Sequence, residues 1–351
     1  MISRARSARV SGLTTVAILL CAGCGTTHFS SNNMPTSGPV GTASRVATGP
    51  LLDAWWTKGS GGLQVVYGVP GAAHQASVGY NDGTYSGATV CMRGGFALLA
   101  NSGGVVAKVQ LPQGSPIQLD LPSISKPVVL FSPSCSSALE YSSSGSAAVL
   151  LQGLPSASNS VSLSIPEGNS VLAVSDTGSV LLGANHSDGA VAVGLLTTGS
   201  SATKPVTVLT KLGGAAFLPG SDAVLLADSG TNAVMEAGQA NGSLSLTQVA
   251  GPSDGVNNPV ALGVSANGRI AVVANGTGSA ILRVDLSGQT ASTQAVCRCT
   301  PTELVPQAGN LSFRLNEPGG GTVWAFDGDA SVPRTVFVPS EQVATATRGA
   351  R

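Results

Sequence analysis

Short apolar runs separated by turn signals repeat along most of the chain. The clearest copy has apolar runs at residues 260–264, 270–273 and 280–285, with turn signals at 265–268 and 274–277. Runs of four to six apolar residues between Asn-Gly and similar pairs are typical of short antiparallel strands joined by tight turns. The pattern therefore predicts an all-β fold.

The end of the second apolar run in that copy recurs at a regular interval. Equivalent positions fall at residues 101, 142, 185, 228, 275 and 327, in steps of 41, 43, 43, 47 and 52 residues. A period in the forties is the signature of a β-propeller, in which each sheet buries its faces against its neighbours around an axis. We predict a six-bladed β-propeller, with an array of β-sandwiches as the alternative architecture.

The two ends of the predicted ring suggest how it closes. The last copy supplies three strands, at residues 311–315, 323–326 and 335–338, and an unassigned strand at 63–67 precedes the first copy. An open ring would expose two sheet edges, which invites aggregation. We therefore predict that residues 63–67 complete the last blade beside 335–338. The alternative is a seven-bladed ring in which residues 51–86 form a small blade of their own.

The strongest copies resemble the YVTN/NHL-type propeller repeat. In that repeat a Ser-Pro-Asp-Gly turn precedes a Tyr-Val-Ala-Asn strand, and an apolar strand ending in Asp follows. Residues 265–268, 272–275 and 284–285 follow this pattern, and residues 175–178 with 183–185 form a second partial match, although the Pro and the Tyr are absent. The resemblance covers about residues 90–339. It implies a binding or scaffold role and carries over no catalytic residue.

The first 24 residues have the features of an export signal. Three arginines within the first nine residues precede an apolar core at 10–20, which is too short to span a bilayer. The core ends on Cys-Ala-Gly-Cys, which resembles the bacterial lipoprotein signal, although Cys21 stands where Leu is usual. The resemblance implies that Cys24 is lipidated and becomes the mature N-terminus. Ordinary cleavage near Ala22 is the alternative.

These features predict four segments and a location. They are a signal peptide at residues 1–23, a flexible tether rich in Ser, Thr, Gly and Pro at 24–50, the propeller at 51–340 and a disordered tail at 341–351. A lipid on Cys24 would hold the protein to a bacterial membrane. We therefore expect it in the cell envelope, in the periplasm or facing the surface.

Charge and motifs exclude some classes of function. The chain carries 17 basic and 17 acidic residues with no basic patch, so we expect no nucleic-acid partner. A Gly-x-Ser-x-Gly pattern at 251–255 lies in a linker with no helix after it, which excludes a nucleophile elbow. The three histidines, His28, His74 and His186, are isolated. We predict no catalytic residue, no metal site and no cofactor.

Lactonase-like six-bladed propellers are the enzyme precedent that the fold suggests. They hold a divalent cation on the axis with carboxylates and Asn from the inner strands. The inner strands predicted here, at residues 128–130, 171–174, 215–217 and 260–262, carry no charge. Carboxylates fall instead at turns and strand ends, where a structural role is usual, at Asp176, Asp222, Asp228 and Asp285.

Four cysteines remain in the exported chain, in a compartment that permits disulfides. Cys91 and Cys135 belong to consecutive repeats, so a disulfide between two blades is a candidate. Cys297 and Cys299 are too close in sequence for a relaxed disulfide. We expect two unrelated thiols there, with a redox pair or half of a metal site as the alternatives.

Together these observations predict a membrane-anchored binding or scaffold module. Its partner is an unknown protein or glycan. The alternatives are a lactonase-like hydrolase with a site on the axis and a subunit of an envelope complex. Trp55 and Trp56 are expected to cover the first blade.

Overall fold

The protein is a ring of seven antiparallel sheets in the computed structural model, which describes residues 49–57, 62–80, 83–156, 159–240, 243–318 and 321–340. Within each sheet consecutive strands pair, so the chain runs from the axis outward. The first blade has three strands, β1 (Leu51–Thr57), β2 (Gly62–Val69) and β3 (Ala72–Val78). The six others have four strands each.

The strands of blades 2 to 4 follow in chain order: β4 (Gly87–Cys91), β5 (Phe96–Asn101), β6 (Gly104–Gln110), β7 (Ile117–Gln118), β8 (Pro127–Phe131), β9 (Ser137–Ser142), β10 (Ala147–Gln152), β11 (Asn159–Ser164), β12 (Asn169–Val174), β13 (Val180–Asn185), β14 (Val191–Leu196) and β15 (Lys204–Leu209). Blades 5 to 7 contain β16 (Leu212–Phe217), β17 (Val224–Asp228), β18 (Ala233–Ala240), β19 (Ser243–Ala250), β20 (Pro259–Val264), β21 (Ile270–Asn275), β22 (Ala280–Asp285), β23 (Thr293–Val296), β24 (Val305–Pro306), β25 (Ser312–Arg314), β26 (Val323–Asp327) and β27 (Arg334–Val338). A 3-10 turn, Pro252–Asp254, connects blades 5 and 6.

The core lies between neighbouring blades. The second strand of a blade is the most buried, and every residue of β17 and β21 is buried. Such a strand has a sheet neighbour on either side and another blade against each face, which explains its continuous apolar run. Leu225 of blade 5 and Val273 of blade 6 belong to one of these shared apolar clusters.

The ring has seven blades, so the predicted six-bladed ring is wrong and the seven-bladed alternative is the observed one. Residues 63–67 lie in β2, where Leu63 pairs with Trp56 of β1 and with Val78 of β3. β2 is therefore the middle strand of its own blade and has no free edge to offer β27. The small and polar residues of β3 gave no apolar signal in the sequence.

The last blade is also complete without an added strand. Its inner strand is the two-residue β24, which precedes the strand predicted as innermost at 311–315. The apolar run that ends at Asp327 is accordingly the third strand of its blade, whereas the five earlier repeat positions, at residues 101, 142, 185, 228 and 275, each end a second strand. A strand of two residues is too short to produce a periodic signal.

The first blade runs in the opposite direction to the others. Ala308, in the turn after the inner strand of blade 7, donates its backbone N–H to Leu52 O at 2.9 Å, close to the start of β1. Arg334, at the start of β27, reaches Pro70 O in the turn between β2 and β3 at 3.4 Å. β1 therefore starts at the end of the ring where the other inner strands finish. We call this end the turn face, because it carries the turns at residues 132–136, 175–178, 218–222, 265–268 and 307–311.

Blades 7 and 1 are joined through a buried polar cluster. Asp53, which has no exposed surface, accepts hydrogen bonds from Gln307 Nε2 at 3.0 Å and from Arg314 Nη1 at 3.2 Å. Arg314 Nε also donates to Glu303 Oε1 at 3.2 Å, and its guanidinium lies 5.7 Å from the ring centroid of Trp55. Burial opposes the charge on Arg314, but the carboxylates of Asp53 and Glu303 outweigh it and raise the pKa of the guanidinium.

We expect Asp53→Asn to destabilise the ring. The substitution removes the fully buried one of the two carboxylates that pair with Arg314 and leaves Glu303, so the loss should stay below the cost of a buried ion pair broken on one side, which is about 3–5 kcal/mol. Urea unfolding followed by circular dichroism measures the loss. Asp188→Asn, in an exposed turn, is the matched control and should change the free energy of unfolding by less than about 0.5 kcal/mol. Equal small effects of both substitutions would contradict a role of Asp53 in closure.

A second buried carboxyl lies between blades 2 and 3. Glu140 on β9 has no exposed surface, and its Oε1 accepts the backbone N–H of Val105 on β6 at 2.8 Å. Its Oε2 has no hydrogen-bond partner among the described residues. Burial raises the pKa of Glu140, and the Val105 hydrogen bond opposes only part of that shift. The folded protein therefore holds a proton on Glu140 more tightly than the unfolded chain does.

This shift predicts a pH-dependent stability. A raised folded pKa means that the contribution of Glu140 is fully present below its ordinary pKa of 4.5 and is lost as the pH rises through the folded value. Glu140→Gln has no charge to bury, so we expect the variant to exceed the wild type in stability at pH 7 and to approach it near pH 4. Urea unfolding at both values measures this. A difference that does not change with pH would rule the explanation out.

Candidate functional site: the axial cavity

The inner strands of the seven blades surround a cavity of about 620 Å³ on the axis of the ring. This volume is within the range of small-molecule sites. Its lining is mostly apolar, with contributions from every blade, and includes Ala54, Trp55, Trp56, Val90, Val129, Leu130, Phe131, Leu172, Ala173, Ala215, Ala216, Leu262 and Val305. The inner strands predicted from the repeat are confirmed, since the four predicted segments lie in β8, β12, β16 and β20.

Solvent reaches the cavity from one end. On β12, the lining residues Leu172 and Ala173 are half-buried, whereas Val174 at the end of the strand is buried. On β16, Ala215 and Ala216 are likewise half-buried, and Phe217 at the end is buried. The cavity is therefore open where these strands begin, which we call the mouth face, and closed at the turn face.

Arg93 closes the cavity at the turn face. It follows the inner strand of blade 2, and its Nη1 donates to Pro133 O in blade 3 at 2.9 Å. Its Nη2 donates to Val264 O in blade 6 at 2.6 Å, so the side chain spans the ring. Burial lowers the pKa of Arg93, and the carboxylate of Asp176 offsets only part of that effect. A cationic side chain therefore forms the floor of an apolar cavity.

Hydrogen bonds between turns hold the floor in place. The carboxylate of Asp176 in blade 4 accepts the backbone N–H and the hydroxyl of Ser134 in blade 3, at 2.9 and 2.7 Å. Its second oxygen accepts the N–H of Gly220 in blade 5 at 2.7 Å. Although burial opposes ionisation, hydrogen bonds from Ser132, Gly220 and Ser134 outweigh it and lower the pKa of Asp176. Three consecutive blades are thus fixed around one carboxylate.

The mouth side of the lining is more polar where blades 7 and 1 meet. Glu303, Arg314 and Glu317 come from blade 7, and Thr57 comes from the end of β1. Arg314 is neutralised by its contacts with Asp53 and Glu303. Trp55, expected to cover the first blade, lies instead on its inner strand, and its buried Nε1 has no hydrogen-bond partner in the described structure.

The cysteines predicted as site residues have different outcomes. Cys24 lies outside the described residues, so its lipidation stays a prediction. The sulfur atoms of Cys91 and Cys135 are bonded, with Cα atoms 6.2 Å apart, and this bond links blades 2 and 3 beside the cavity. Cys297 and Cys299 are also bonded, with Cα atoms 5.0 Å apart, so the expectation of two unrelated thiols is wrong. The chain bends at Arg298 and Cys299 after β23 ends, which brings the two Cα atoms close enough for this short bridge to close.

The aspartates predicted at turns have structural contacts. Asp228 accepts the backbone N–H groups of Thr210, Lys211 and Gly230 at 2.9–3.1 Å. Asp285 accepts hydrogen bonds from Ser287 and Thr290, which lower its pKa to about 2. None of the four predicted aspartates lines the axial cavity. Within the described ranges, no three His, Cys, Asp or Glu side chains are grouped closely enough to hold a metal ion.

Arg93 was not among the site residues predicted from the sequence, although an alignment of the repeats distinguishes it. In five blades the turn after the inner strand is closed by a backbone hydrogen bond to one carbonyl oxygen, that of Met92, Ser132, Ser175, Leu218 or Ser265. Aligning the repeats on these turns places Arg93 where the other four have Pro133, Asp176, Pro219 and Ala266. Arg93 is therefore the one basic residue among these equivalent positions, and it lies next to the axis.

Comparisons with known proteins bear on the fold. No protein family profile and no curated protein sequence matches the chain. A protein of unknown function from Desulfotomaculum acetoxidans is 12% identical with a TM-score of 0.52, covering 83% of this chain and 99% of its own. A proposed 6-phosphogluconolactonase from Bacteroides fragilis has the same identity and TM-score, covering 83% and 95%. Virginiamycin B lyase from Staphylococcus aureus is 14% identical with a TM-score of 0.49, covering 72% and 83%.

The fold is a β-propeller. At these identities the similarities show the fold alone, so the YVTN/NHL-type repeat and the lipoprotein signal stay predictions. The described residues form no helix that could span a bilayer.

Proposed function

We propose that this protein is an exported, lipid-anchored β-propeller that binds the apolar part of a partner molecule in its axial cavity. The axial cavity of about 620 Å³ is the observation that carries the binding role, because it is apolar, open at one face and closed at the other. Residues such as Val129, Leu130 and Phe131 remain half-exposed there. Covering apolar surface contributes about 25 cal/mol per Å², so an apolar group that filled the cavity would gain affinity.

The lining favours an apolar group over a glycan. A sugar would lose the water around its hydroxyl groups, and burying a hydroxyl without a hydrogen-bond partner costs about 1–3 kcal/mol. The inner strands of blades 3 to 6 offer only apolar side chains to the cavity. An apolar side chain of a protein partner or a small apolar molecule therefore fits the cavity better.

The lactonase-like hydrolase has less support. Hydrolysis on the axis needs a general base or a metal site. The carboxylates in the described lining are Glu303 and Glu317, and Glu303 is paired with Arg314. The likeness to the proposed 6-phosphogluconolactonase concerns the fold, at 12% identity.

Filling the cavity tests the binding role. We expect the neutral fluorophore N-phenyl-1-naphthylamine to bind the wild-type protein saturably, because its rings suit an apolar cavity. Ala173→Trp, on an inner strand, should weaken binding at least about tenfold, which is 1.4 kcal/mol. Val208→Trp is the matched control on the exposed outer strand of the same blade and should leave the affinity unchanged. Equal binding by both variants would place the fluorophore outside the cavity and overturn the proposal.

Lipid labelling tests the anchor. The proposal rests on the arginines, the apolar core and the Cys-Ala-Gly-Cys sequence of the first 24 residues. Cells grown with radiolabelled palmitate should label the wild-type protein and not Cys24→Ser, since only the former has the thiol that accepts the lipid. Cys21→Ser is the control and should still be labelled. Equal labelling of wild type and Cys24→Ser would overturn the anchoring proposal.

A further inference from the structure

We propose that the ligand of the axial cavity is a small apolar carboxylic acid whose carboxylate pairs with Arg93 on the cavity floor. The inference rests on the proposed function, since it adds a chemical class to a ligand bound in the same cavity. Three features of Arg93 carry it: its unused donors, the absence of a paired anion in the described structure, and its position at the closed end of an apolar cavity.

The guanidinium of Arg93 has N–H donors that make no hydrogen bond in the described structure. It makes two hydrogen bonds, to the carbonyl oxygens of Pro133 and Val264. A guanidinium carries five N–H groups, so Nη1 and Nη2 of Arg93 each keep one N–H that makes no hydrogen bond in the described structure, besides a buried Nε that also lacks a partner there. Bracing the floor therefore leaves unused donors on a group whose planar shape suits a carboxylate.

The positive charge of Arg93 also lacks an ion pair in the described part of the chain. Asp176 is the carboxylate that acts on it, but the oxygens of Asp176 accept hydrogen bonds from Ser134 and Gly220 instead. Carbonyl oxygens supply dipoles and no net charge. A half-buried cation without a paired anion is costly, and a bound carboxylate would offset that cost.

Arg314, the other arginine in the described lining, differs from Arg93 because carboxylates of the protein already neutralise its charge. It pairs with both Asp53 and Glu303 and lies over the ring of Trp55. It therefore has no need of an external anion. Of the two arginines in the described lining, Arg93 alone combines an unpaired charge with free donors.

The position of Arg93 sets the shape of the ligand. The floor lies at the turn face, whereas the route from solvent is at the mouth face. A ligand whose carboxylate reached Arg93 would leave its apolar chain along the inner strands, beside Val90, Phe131 and Leu262. A chain with one anionic end fits this arrangement.

Isothermal titration of the full-length protein with octanoate and with octanamide tests the pairing. The two probes have the same chain length and differ in charge. We expect the wild type to bind octanoate at least about tenfold tighter than octanamide. Arg93→Met should lose this preference and keep the affinity for octanamide, which also shows that the cavity is intact. Arg283→Met is the matched control, because Arg283 Nε also has no partner but Arg283 lies outside the lining, and it should keep the preference.

The outcomes separate this inference from the proposed function. Equal affinities of the wild type for the two probes, or a preference that survives Arg93→Met, would overturn the pairing and leave cavity binding in place. Binding of neither probe would overturn both. If Arg93→Met does not fold, Arg93→Gln decides, because Gln keeps hydrogen-bond donors and loses the charge: a loss of octanoate affinity of about tenfold or more, with octanamide unchanged, supports the pairing. Unchanged affinity for both probes would overturn it.

Discussion

The buried contact between Asp53 and Arg314 is the constraint on which the ring depends. Each blade of a propeller packs mainly against its two neighbours, so a ring is only as stable as its weakest joint. Six of the joints here lie between blades that are consecutive in the chain, whereas blades 7 and 1 come from opposite ends of the described chain. In the described structure no sheet includes strands from both of these blades. Packing and the polar cluster of Asp53, Gln307 and Arg314 hold this joint instead.

The same joint forms part of the cavity wall. Arg314 contacts Asp53 on one side and lies over the ring of Trp55, and both Arg314 and Trp55 line the cavity. A buried ion pair contributes less to stability than its Coulomb energy suggests, because both charges lose water. Its hydrogen bonds form only at specific distances and angles, however, so the pair fixes the position of blade 1 relative to blade 7. The shape of the cavity therefore depends on correct closure of the ring.

The sequence predicted the repeated blades well and the ends of the ring poorly. Fully buried second strands such as β17 and β21 have uninterrupted apolar runs, so their periodicity was readable. β3 and β24 have no such signal, because one is small and polar and the other has two residues. Their omission made the last blade seem one strand short and left residues 63–67 without partners. The direction of the first blade depends on contacts such as that between Ala308 and Leu52, which local pattern does not encode.

The reversed first blade separates the two ends of the propeller. Pro50 accepts a hydrogen bond from Gly68 next to the turn face, where the chain enters the ring. β27 runs from Arg334 at the turn face to Val338 at the mouth face, where the chain leaves it. A protein or affinity tag fused before Pro50 is thus attached far from the cavity entrance, whereas one fused after Val338 starts beside it. Joining the natural ends to make a circular permutant would require a linker that spans the height of a blade.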